Sequence, residues 1–96
     1  MQADYDSEAD ALSIDLVRFD HYEHQEPVHD TYCHVGFAKG VPANIELLVP
    51  ADHLDLLGVV AERYDLDGAA LLAAAQAALA APDRLVKVDV SATIPA

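Results

Sequence analysis

The chain has 96 residues, with 17 Asp and Glu against 5 Lys and Arg, a formal charge of −12. Phosphate backbones and anionic bilayers are bound chiefly through positive charge, so this balance argues against nucleic acid or a membrane surface as a direct partner. One domain of this size buries only about 60–65% of its unfolded surface, a thin core to which a second subunit or a partner would add burial.

In chain order, an acidic turn at Tyr5–Asp10 runs into a first strand in which Leu12, Ile14 and Leu16 share one face and Ser13 and Asp15 the other. A period of two is the pattern of a strand buried on one side. Asp20–Asp30 is polar and contains Pro27, which lacks the amide hydrogen a central strand needs, so it reads as an extended loop. Alternation returns at Thr31–Ala38, with Cys33, Val35 and Phe37 on the apolar face, and Lys39-Gly40 supplies a hairpin turn. Val41, Ala43, Ile45, Leu47 and Val49 form a third strand, whose Pro42 suggests an edge position or a bulge.

The period then lengthens. Leu54, Leu57, Ala61 and Tyr64 fall on one side of a helix with Asp52 placed to cap it, and Asp67 is suited to cap a second helix, Gly68–Ala81, which Pro82 ends. Leu85–Val90 alternates as a last strand that can return to the sheet. The expected architecture is a single α+β domain over residues 1–90: a three-stranded antiparallel β-meander, two helices and a last β-strand, with 91–96 as a disordered tail.

Two segments carry a family resemblance. Tyr5-Asp6-Ser7-Glu8-Ala9-Asp10-Ala11-Leu12 and Val41-Pro42-Ala43-Asn44-Ile45-Glu46-Leu47-Leu48 resemble the start and the last strand of the small bacterial domain of unknown function numbered 2283. Together they bracket the first half of the chain. Between them the family's short acidic loop is replaced by the histidine-rich run Phe19–His34, and the segment from Leu54 onward exceeds the family's minimal domain. The resemblance implies a small β-meander and association with other small proteins, some in toxin and antitoxin gene pairs. It brings no catalytic residue.

Several constellations invite a chemical reading beside a plainer one. His21, His24, His29 and His34, with Cys33 nearby, are donor types favoured by zinc, but their spacing fits no zinc pattern and Cys33 and His34 belong to opposite strand faces. Scattered loop and surface histidines are the plainer reading; a pH-responsive patch among Asp20, Glu23, Glu26 and Asp30 is a third. Asp4, Asp6, Glu8 and Asp10 mimic a calcium loop, yet Ala9 stands where a sharp glycine turn belongs and a strand follows. Cys33 reads as a small buried thiol, because an adjacent strand residue cannot easily serve as its base.

Charge distributes unevenly: residues 1–50 hold ten acidic and two basic groups, residues 51–96 seven and three. A basic protein partner should therefore meet the first half, with Asp20, Glu23 and Glu26 as its expected contacts. The helix Gly68–Ala81 has no charge on its outer face, and Ala69, Ala70, Ala73, Ala74, Ala77, Ala80 and Ala81 let a second helix approach closely, which makes them the expected contact of a homodimer or higher oligomer. Alanine's helix propensity is the plainer account. No stretch at the N-terminus has a signal-peptide pattern, Cys33 is the single cysteine, and the uncharged run Gly68–Pro82 reaches only about 22 Å as a helix against the roughly 30 Å of a bilayer core, so a cytoplasmic protein is expected. The favoured reading is a non-enzymatic, oligomeric interaction protein without cofactor, antitoxin-like in its most concrete form. Its alternative is a histidine-based metal-binding protein.

Overall fold

Five strands precede the helices in the computed structural model, which describes residues 1–88. They are β1 (Gln2–Asp6), β2 (Ala11–Asp15), β3 (His24–His29), β4 (Cys33–Ala38) and β5 (Val41–Leu48). A short 3-10 turn at Pro50–Asp52 leads to α1 (Asp55–Tyr64) and α2 (Gly68–Ala80), and β6 (Leu85–Lys87) closes the described chain. All pairings are antiparallel, and the strands lie in the order β3-β4-β5-β2-β1-β6. The expected three-stranded meander is thereby corrected to a six-stranded sheet that contains two strands not anticipated, β1 and β3.

Both omissions have a physical reason. Of β1 only Ala3 is fully buried, so the strand lacks the run of large apolar residues that marks β2. Its place is fixed by pairing on both sides, to β2 and to β6. The edge strand β3 tolerates Pro27 because only one of its sides is paired, and Arg63 of α1 donates to the Pro27 carbonyl at 3.3 Å. Pro42 lies near the start of β5, outside the stretch that pairs with β2 and at the register shift between Gly36 and Phe37, so both expected settings, a locally unpaired side and a bulge, meet at this residue.

The acidic turn is a knot of local hydrogen bonds. Asp6 Oδ1 accepts from the amides of Glu8 and Ala9 at 3.0 and 3.1 Å, Tyr5 donates its hydroxyl to Asp10 at 2.7 Å, and Asp10 itself adopts a left-handed φ of 53° that a short polar side chain tolerates. Ser7 donates from both its amide and hydroxyl to Asp83, tying this turn to the segment before β6. At the β4–β5 hairpin Lys39 and Gly40 both have positive φ, the two-residue turn whose twist suits paired strands.

Both helices cover one face of the sheet. Leu12, Ile14, Cys33, Val35, Phe37, Ile45 and Leu47 point towards them and are buried, together with Leu57 and Val60 of α1 and Leu71, Ala74, Ala75 and Ala78 of α2. Asp67 caps α2 as expected, accepting from the Ala70 amide at 3.1 Å. Asp52 does not cap α1; it sits in the 3-10 turn, and Leu54 precedes the helix without a side-chain bond. The last strand ends at Lys87 within the described residues, while 89–90 of the expected strand and the expected tail at 91–96 lie outside them.

Cys33 is fully buried, and desolvation pushes its thiol up to about 11, with Arg63 opposing weakly. Cys33→Ala is expected to fold with a loss of about 1 kcal/mol, the cost of a small cavity. Thiol titration of the folded wild type should be slow, and rapid modification by a bulky reagent would contradict the packing.

Candidate functional site

The sheet face away from the helices has no secondary structure laid across it, and its residues follow from strand alternation and register. One row across the sheet runs Pro27, His34, Glu46, Ser13, Asp4 and Leu85; the next runs Gln25, Gly36, Asn44, Asp15, Gln2 and Lys87. Three carboxylates, Asp4, Asp15 and Glu46, thus stand on the adjacent strands β1, β2 and β5. Lys87 is the one Lys or Arg in the strands of this face among the described residues, and it sits on the edge strand opposite Gln2.

Asn44 organises the centre. It is 2% exposed, and its Nδ2 donates to Ser13 Oγ and to Asp15 Oδ1, both at 2.7 Å, which holds the Asp15 carboxylate beside Asn44. Tyr22, from the β2–β3 connection, lies directly over Gly36, where any β-carbon would collide with its ring, and Phe19 stacks on it at 4.8 Å. Burial first, then the charges of Asp15 and Glu46, push the Tyr22 phenol up. Asp4 is also pushed up, by burial first, then by Asp15 and Asp6. Among the described residues the carboxylates of this face make no salt bridge; the one close pairing of a basic side chain with a carboxylate, His24 with Glu26 at 3.4 Å, lies on the helix side.

The sequence-derived candidates disperse. His24 stacks on Phe37 at 4.6 Å beneath the helices. His29 turns back on its own hairpin, where Nδ1 accepts from the Thr31 and Tyr32 amides at 3.2 Å. His34 lies on the open face and His21 in the β2–β3 connection. Among the described residues no group of three or more His, Cys, Asp or Glu side chains is disposed to hold a metal ion, so the structure gives His21, His24, His29 and His34 no common centre. Of the expected partner contacts, Glu26 is committed to the helix side, accepting the Tyr64 hydroxyl at 2.7 Å. Glu23 accepts the Gly40 amide at 2.9 Å, and Asp20 is exposed nearby.

The seven alanines also divide. Ala70 and Ala74 are buried in the chain's own core and cannot meet a second subunit, whereas Ala69, Ala73 and Ala80 are exposed and Ala77 and Ala81 half-buried. Leu72 is 38% exposed and belongs to this outer surface. The Asp4, Asp15 and Glu46 constellation was not anticipated as a unit. The alternation of the first predicted strand turns Asp15 outward, but joining it to Asp4 requires β1, which the composition conceals.

No protein-family model matches the chain, and neither a curated protein nor a solved structure matches it. No helix among the described residues is long and apolar enough to cross a membrane.

The raised pKa of Asp4 has a testable sign. The folded chain holds this proton more tightly than the unfolded chain, so the ionised carboxyl costs stability above its folded pKa, and the cost disappears as pH falls through that value. Asp4→Asn should raise the melting temperature at neutral pH, with the gain shrinking as the pH falls to the ordinary Asp value of 3.8 and below. An unchanged or lowered melting temperature at neutral pH would contradict this.

Proposed function

We propose that this chain is a non-enzymatic interaction protein that presents its open sheet face to a basic protein segment and associates with its own copies through the outer face of α2. The observation that carries the reading is the placement of Asp4, Asp15 and Glu46 on adjacent strands, with Asp4 already disfavoured in its charged form by burial and by its neighbours. A Lys or Arg side chain brought to this face relieves that cost, which makes charge neutralisation the driving interaction. An antitoxin-like neutraliser of a small basic protein is the most concrete version. Of the two segments that resemble domain family 2283, the end of the first, Ala11-Leu12, pairs with Leu48 and Leu47 of the second.

Self-association follows from the same charge balance. Two copies of formal charge −12 repel wherever their carboxylates meet, and the outer face of α2, with Ala69, Leu72, Ala73, Gln76 and Ala80, offers an approach without charge.

An arginine-rich peptide is a suitable probe, provided that general attraction to an acidic protein is separated from recognition. Asp15→Lys with Glu46→Lys should weaken binding at least about tenfold, whereas Glu62→Lys with Asp65→Lys, which changes the net charge equally at the end of α1, should have little effect. Binding should also fall steeply as salt shortens the Debye length from about 10 Å at 0.1 M to about 3 Å at 1 M. Equal losses in the two variants, or indifference to salt, would mean that the carboxylates serve solubility alone.

For self-association, Ala73→Glu with Ala80→Glu should lower the sedimenting mass without changing the circular dichroism. A wild-type monomer at high micromolar concentration would overturn it.

A further inference from the structure

Beside the open face, at the end of the sheet, the β2–β3 connection and the β4–β5 hairpin enclose a cleft of about 600 Å³. That lies within the range of about 300–1,000 Å³ typical of small-molecule sites. Its apolar lining is made by Val17 and Val41, which are 43% and 47% exposed, with Phe19 and Ala38. A smaller hollow of about 220 Å³ adjoins it and shares Val17, Arg18 and Phe19.

Two of the five basic residues of the chain, Arg18 and Lys39, line this cleft. Neither takes part in an ion pair among the described residues. Of the two carboxylates that line it with them, those of Asp20 and Glu23, the second accepts the Gly40 amide at 2.9 Å. His21 is the remaining lining residue. Apolar walls with two unpaired cations complement a molecule that has an apolar body and an anionic head. The overall charge of −12 does not forbid such a ligand: most of the carboxylates lie outside the cleft, of the two that line it Glu23 is engaged by the Gly40 amide, and Arg18 and Lys39 act at contact.

We propose that this cleft binds an amphipathic organic anion, a carboxylate on an apolar chain, with Val17, Phe19 and Val41 holding the apolar body and Arg18 and Lys39 the head. The site is independent of the sheet face proposed for a basic partner.

Three probes with one apolar body separate the terms: octanoate, octanol and octylammonium, each titrated below its micellar range into labelled protein and followed by amide chemical shifts. Octanoate should shift Val17, Arg18, Lys39 and Val41 and bind at least about tenfold tighter than octanol. Arg18→Gln with Lys39→Gln should abolish that advantage while leaving octanol binding unchanged, which also shows that the cleft is intact. Tighter binding of octylammonium, the result expected if only the general acidity of the surface mattered, would overturn the proposal. So would an octanoate preference that survives in the double variant, or the absence of shifts at these residues.

Discussion

Packing of the helices against a single face of the sheet is the constraint on which the rest of the structure depends. Leu71, Ala74, Ala75 and Ala78 form the inner side of α2, which rests on β1, β2 and β6. Three of these four side chains are methyl groups, so the helix axis can lie close to the strands, and even a strand as poor in large apolar residues as β1 is buried at Ala3. Fully burying one leucine contributes about 1.5–3 kcal/mol, and the leucines at 12, 47, 57 and 71 all lie in this one layer. With all of this burial on one side, the other side is left to polar groups.

That asymmetry produces the electrostatics. In antiparallel pairing Asp4 faces Ser13 directly and Asp15 diagonally, a separation of about 7–8 Å. Two charges at that distance repel by about 0.5 kcal/mol at the dielectric of water, and by more when a partner excludes the solvent. A second negative surface would therefore be rejected more strongly as it approached, and a positive one accepted more strongly. Asn44 sharpens the effect by holding Asp15 in place with its buried amide, so the carboxylate cannot turn away from its neighbours. Local folding gives several other acids different work. Asp6 and Asp10 organise the first turn, Asp67 caps α2, and Asp83, held below the ordinary carboxylate range by hydrogen bonds from Ser7, ties the two ends of the described chain together.

Much of this was legible in the sequence wherever one residue's environment dictates its type. The alternation of Leu12 and Ile14, of Cys33, Val35 and Phe37, and of Ile45 and Leu47 marked three strands with their buried faces, and Asp67 marked the start of α2. What escaped was held by partners distant in sequence. β3 turns His24, Glu26 and Val28 towards the helices, and the first two are accommodated there by the ring of Phe37 and the hydroxyl of Tyr64, so its inner face looks polar. The alanine stripe misled in the opposite direction, because it has two sides of similar composition and only packing distinguishes buried Ala70 and Ala74 from exposed Ala69 and Ala73. His21, His24, His29 and His34, close in sequence, are separated by strand alternation and by the separate contacts made by His24 and His29.

The central claim is that the open face, and not the acidity of the chain as a whole, recognises positive charge. Carboxyl labelling with a carbodiimide and an amine, read residue by residue by mass spectrometry with and without a saturating arginine-rich peptide, tests it most directly. Protection concentrated at Asp4, Asp15 and Glu46, with Glu62 and Asp65 labelled as before, is the result predicted. Protection spread evenly over all carboxylates, or centred on α1, would contradict it.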